Sequence, residues 1–131
     1  NSNARWCNVE WLGFESTAAK DIHVLGDSLQ IAPAMPKSAH MANSQAKACA
    51  AAIVARLAGW EVNAAPMLTN TCYSFVDGRN VIHVASVHEY VAAEKTFKTV
   101  AGSGGVSPGP SEQEGGYVWN WARTIWADAL A

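Results

Sequence analysis

Few residues in this chain are able to do covalent or redox chemistry. Cys7, Cys49 and Cys72 are three thiols, so at least one has no disulfide partner within the chain. Two readings stay open for such a thiol: a buried cysteine that packs as a small hydrophobe, or one whose partner lies outside the chain. There is no CxxC pair, and the cysteines show no metal-ligand spacing with His23, His40, His83 or His88. His83 and His88 stand five apart in a strand-like stretch, which points them to opposite faces and speaks against a histidine zinc site. Gly26-Asp27 is the other candidate. An aspartate ending an apolar run beside a glycine accepts hydrogen bonds from a sugar hydroxyl in the crevice at the edge of an α/β sheet, or simply caps a turn. A helix following it offers free N–H groups and a positive dipole end to an electron-rich ligand.

The chain that must position these groups has 131 residues, enough for one compact core. Nine Lys and Arg against eleven Asp and Glu give a net charge of −2, without the basic face that nucleic-acid binding needs. Half of the residues are hydrophobic and 15% are charged, which excludes disorder. The longest apolar run, residues 48–55, is far too short to span a bilayer. Six tryptophans with so few charges fit either a Trp-rich core or a surface covered by a partner.

Ile22, His23, Val24 and Leu25 read as a buried parallel strand that delivers Gly26-Asp27 to a sheet edge. Pro33 and Pro36 punctuate a loop over 28–42, and an alanine-rich helix is expected over about 44–58. Its cap would be Asn43 or Ser44, its stripe Cys49, Ile53 and Leu57, and its terminating residue Gly59. Residues 69–76 and 81–91, separated by Asp77-Gly78-Arg79-Asn80, predict a β-hairpin, and 95–100 a third antiparallel strand. The Gly/Pro/Ser stretch 101–110 reads as irregular loop. Ser111 and Glu114 fit a capping box, but Gly115-Gly116 interrupts it and puts the start of the last helix near Tyr117, with a stripe of Tyr117, Trp121 and Ile125. The fold class expected is α+β: a strand-loop-helix unit over 1–61, then a small three-stranded antiparallel sheet with a C-terminal helix over 62–131.

Five segments follow one another in a specific order: IHVLGDS (22–28), AMPKS (34–38), ANSQAK (42–47), TNTCYS (69–74) and AGSGGVSP (101–108). Together they resemble the flavin-binding subunit of flavocytochrome c sulfide dehydrogenase, a two-dinucleotide-domain flavoprotein related in fold to glutathione reductase. The resemblance runs over about residues 5–128 and matches the C-terminal third or so of such a subunit. It implies that 1–61 closes an FAD-binding domain and 62–131 is the C-terminal domain of that family.

The resemblance further implies roles for individual residues. Asp27 would bond the ribityl chain of FAD. Met35, Pro36, Lys37 and Ser38 would lie beside the flavin ring, with Lys37 adding positive charge and the helix N-terminus facing the pyrimidine side. Cys72 would be one half of a redox-active disulfide whose partner belongs to the N-terminal part of the same flavoprotein, outside these residues. Trp121 would pack near the flavin, while Cys49 falls to the core. Hydrosulfide, a soft nucleophile, would attack the disulfide by thiol–disulfide exchange, and electrons would pass by way of FAD to a c-type cytochrome subunit in the periplasm. Two departures stand out. Ala39 occupies a position where many relatives have glycine, and no GxGxxG occurs, so most of the FAD site would lie outside this chain. The competing readings are an NADH- or quinone-linked flavoprotein, and a non-catalytic interface domain for a cytochrome or a dimer.

Overall fold

The computed structural model describes residues 5–30 and 32–130. In chain order it contains β1 (Val9–Glu10), β2 (Glu15–Ser16), α1 (Ala39–Ala58), β3 (Met67–Phe75), β4 (Val81–Val91), β5 (Thr96–Thr99), β6 (Gly105–Val106) and α2 (Glu112–Leu130). β1 and β2 form a small antiparallel ribbon, while β3 to β6 form a four-stranded antiparallel sheet. The class is α+β, as expected.

The hairpin forms where the alternation of β-branched and aromatic residues predicts it. Asp77 closes its turn: one carboxylate oxygen accepts from the N–H groups of Arg79 and Asn80, both at 2.8 Å, and these bonds hold its carboxyl below the usual carboxylate range. β4 is the central strand. β3 lies on one side; β5 and β6 share the other, with Val91↔Thr96 and Val84↔Val106 in register. Stretch 101–110 is therefore not wholly irregular. Gly105-Val106 adds a short fourth strand, and Gly104 passes so close to β4 that a Cβ there would stand 2.5 Å from the Ala85 carbonyl oxygen.

Both helices begin earlier than their sequence signals suggest. Ser38, extended at φ −152°, caps α1 by accepting from the Met41 N–H, so the helix starts five residues before Ser44. Asn43 and Ser44 lie inside it, and Ser44 Oγ instead accepts the Thr69 N–H of β3 at 3.1 Å. His40 Nδ1 accepts the Thr71 N–H at 2.7 Å, so two side chains of α1 satisfy the outer edge of the sheet. The buried stripe is Met41, Gln45, Cys49, Ala52 and Ala55; Leu57 is exposed. Gly59 ends the helix at φ +70°, as expected. Ser111 caps α2 by accepting from the Glu114 N–H at 3.2 Å. Gly115 does not break that helix but lets it approach Arg79, whose carbonyl oxygen would lie 2.2 Å from an added Cβ.

The segment from Ile22 to Leu25 is not a parallel strand. It runs back along the β1–β2 ribbon, with an isolated antiparallel bridge His23↔Glu15 and bonds Ser16 N–H to Ile22 O at 2.7 Å and Val24 N–H to Phe14 O at 3.0 Å. The left-handed backbone of Phe14 (φ 59°) and Asp21 (φ 62°) turns the chain onto itself, so its backbone groups find partners within this lobe.

One core unites the elements. Val9, Trp11, Phe14, Leu29, Ala32, Met41 and Cys49 pack with Leu68 and Phe97 of the sheet. Trp11 meets Phe14 and Phe97 edge-on at 6.0 and 5.8 Å. Of the six tryptophans, Trp11 enters this core, whereas Trp60, Trp119 and Trp126 are exposed. Among the described residues, no helix is long and apolar enough to cross a membrane.

Candidate functional site

A cleft of about 550 Å³ opens where the loop before α1 meets the sheet. Pro36, Lys37 and Ser38 form one wall, Asn70 and Cys72 of β3 the floor, Ser86 of β4 and the glycines of 102–105 the rest. Strand alternation puts Asn70 and Cys72 on one face, opposite Ser86 and Val84 of β4. Segments far apart in sequence, around 36, 72 and 104, are thereby brought to one place.

Cys72 is half-buried, and none of the three cysteines is paired with another among the described residues. Its thiol donates to Asn70 Oδ1 at 3.5 Å. Asn70, 2% exposed, also accepts the Ser38 hydroxyl at 2.5 Å. Ser38 thus joins the N-terminus of α1 to the floor of the cleft and sets the positive dipole end of that helix beside its wall.

Lys37, expected to add positive charge beside a flavin ring, has its partners on its own wall. Its ammonium donates to the carbonyls of Asp27 at 2.7 Å and Leu29 at 2.8 Å, and lies 4.2 Å from the Trp6 ring centre. It therefore clamps the wall of the cleft to the short 3₁₀ turn Gly26–Ser28. The Asp27 side chain itself is exposed and does not line the cleft. Met35 turns inward to the core, where its Sδ accepts from Gln45 Nε2 at 3.4 Å. Gln45 Oε1 accepts the Gly26 N–H at 2.8 Å, so one buried amide holds both the Gly-Asp turn and the Met35 loop. Trp121 lies across the sheet from Cys72. It packs edge-on against Tyr73 at 5.8 Å and against His40, in the first turn of α1, at 6.1 Å. Cys49 is buried, its thiol donating to Gly13 O at 3.3 Å, and burial pushes that thiol up from its ordinary value.

Asn70, Gln45 and the pair Ser86–His88 escape the sequence reading. Ser86 Oγ lies 2.9 Å from His88 Nε2; His88 is fully buried, its Nδ1 has no partner, and desolvation pushes its pKa down. The usable signals were Asn70 standing two residues before Cys72 and Gln45 standing between Met41 and Cys49 at helical spacing. Behind the sheet, His83, Ser107 and Glu114 form a second polar cluster. His83 Nδ1 lies 2.9 Å from both Glu114 Oε2 and Ser107 Oγ, Ser107 Oγ donates to Glu114 Oε2 at 2.7 Å, and the bonds that Glu114 accepts from His83 and Ser107 lower its pKa. Both partners meet the same ring nitrogen, an arrangement that pins α2 and the glycine loop to β4.

The flavin-binding family model of flavocytochrome c sulphide dehydrogenase matches residues 64–130. That span carries β3 to α2 and the floor of the cleft, and the chain belongs to this family of flavin-binding proteins.

Proposed function

We propose that this chain is the C-terminal part of a flavoprotein that oxidises sulfide through a redox-active disulfide at Cys72 and FAD, with a c-type cytochrome in the periplasm as electron acceptor. FAD is the cofactor that the flavin-binding family supports. The observation that carries the reading is that Cys72 and the Pro36-Lys37-Ser38 wall, with the N-terminus of α1, share one cleft. The residues fit a flavin. The cleft, about 550 Å³, falls within the range of small-molecule sites, and the helix terminus offers positive potential to an electron-rich ring edge.

In this reading Pro36 and Ser38 would hold the cofactor directly, with Lys37 and Met35 fixing their loop. Asp27 would reach the ribityl chain from the turn that Lys37 and Gln45 secure. Trp121 would act through His40 and the first turn of α1. Hydrosulfide breaks the disulfide and forms one new S–S bond, leaving a persulfide on one cysteine and a thiolate on the other. FAD, when bound, supplies a two-electron acceptor able to release electrons singly to haem. Residues 62–131 would be the family's C-terminal domain, and 1–61 the closing segment of an FAD-binding domain.

The test is the visible spectrum of the full flavoprotein under anaerobic conditions. Sulfide should bleach the flavin band, NADH should not, and Cys72→Ser should abolish the sulfide response. Bleaching by NADH alone, or a wild-type sulfide response in Cys72→Ser, overturns the reading. A second role is favoured by Trp119 and Trp126, 57% and 53% exposed on α2, which suit a helix face that docks the cytochrome subunit.

A further inference from the structure

We propose that Asn70 is a positioning residue for Cys72, setting which side of the sulfur faces the cleft; the functional weight of this rests on Cys72 being the redox cysteine. Asn70 stands two residues before Cys72 on β3, so both side chains rise from the same face. Its amide is 2% exposed and is held by two donors from different elements. Ser38 Oγ accepts the Met41 N–H at 3.1 Å, which leaves its one proton to go to Asn70 Oδ1. That bond fixes the orientation of the amide. The same oxygen then faces Cys72 and accepts its S–H at 3.5 Å.

The consequence is directional. In the reduced protein, where Cys72 is a thiol rather than half of a disulfide, its sulfur has one hydrogen and two lone pairs, and drawing the hydrogen toward Asn70 leaves the lone pairs for the cleft that Cys72 lines. The chain Met41 N–H, Ser38 O–H, Asn70 Oδ1, Cys72 S–H also links the sulfur to the first turn of α1. A shift of the loop around Pro36 would thus be felt at the thiol, because Ser38 and Cys72 donate to the same amide oxygen. Lys37 is the one charged side chain lining the cleft among the described residues, and its ammonium is engaged on the carbonyls of Asp27 and Leu29. It does not compete for the sulfur.

The S–H stretching band in the infrared reports this bond, because a stronger acceptor lowers its frequency. The Cys72 band is the one that Cys72→Ser deletes from the spectrum of the whole reduced chain. Asn70→Ala should move it to higher frequency, and Asn70→Asp, with a stronger acceptor of the same size, should move it lower at neutral pH. A band that stays in place in Asn70→Asp, with native circular dichroism, overturns the proposal, and that variant decides the matter if Asn70→Ala does not fold. The band is readable whatever the chemistry of Cys72, so failure here is distinct from failure of the sulfide test.

Discussion

His88 ties stability to pH through its burial in the sheet. It is fully buried, with Ser86 as its hydrogen-bond partner and Nδ1 without one, and desolvation lowers its pKa from the ordinary 6.5. The unfolded chain therefore binds a proton at a pH where the folded protein refuses it. Stability should be fully present above about pH 6.5, decline as the pH falls from there toward the folded value, and level off once both states are protonated. Thermal unfolding across that window should show the decline, and His88→Leu should flatten it. Glu114, lowered from 4.5 by His83 and Ser107, adds a later loss as the pH falls below that value. Cys72 and the Pro36-Lys37-Ser38 segment were legible as candidates because their order and spacing resemble a family. Asn70 and Gln45 were not, since in a sequence a buried amide looks like any turn or surface amide. Only burial and named partners separate the two.

The sequence signals place both helix starts late for a physical reason. Pro36 extends the apparent loop past Ser38 while Asn43 and Ser44 offer a second cap, and Gly115-Gly116 interrupts the pattern that Ser111 begins. Ser38→Ala should cost about 1 kcal/mol by denaturant unfolding, the usual worth of an N-cap, and more if the bond to Asn70 contributes. The two glycines of α2 should differ in sign. Gly115→Ala sets a methyl 2.2 Å from the Arg79 carbonyl oxygen and should destabilise by about 1–3 kcal/mol. Gly116→Ala meets nothing within 4 Å and should stabilise by about 0.5–1 kcal/mol, since it lowers the entropy of the unfolded chain. Equal effects at the two positions would show that close approach to the β3–β4 turn is not what selects Gly115. Residues 22–25 misled for a different reason: an apolar run records burial, whereas the pairing partner is decided by where the chain turns, here at Phe14 and Asp21.

For the molecule as a whole, the sequence divides into expected units over 1–61 and 62–131, yet the core crosses that boundary. Phe97 of β5 is fully buried and meets Trp11, Phe14 and Tyr90 at ring-centre distances of 5.8, 6.5 and 5.7 Å. Arg56, at the end of α1, pairs with Glu10 and Glu15 of the ribbon, and Lys47 pairs with Asp128 near the end of α2. A core shared in this way predicts one cooperative transition. Near-UV circular dichroism, which reads the packed aromatic cluster, and far-UV circular dichroism should report the same denaturant midpoint. Phe97→Ala should lower stability by about 3–5 kcal/mol, because the cavity is walled by side chains from both sides of residue 61. Expressed alone, residues 62–131 would expose the Phe97 ring where Trp11 and Phe14 now cover it, and should lose the native near-UV spectrum. Two separated midpoints, or a native-like spectrum from 62–131 alone, would mean that the sheet and α2 stand without the first sixty residues. The aromatic cluster would then be a docking contact between units rather than the centre of one.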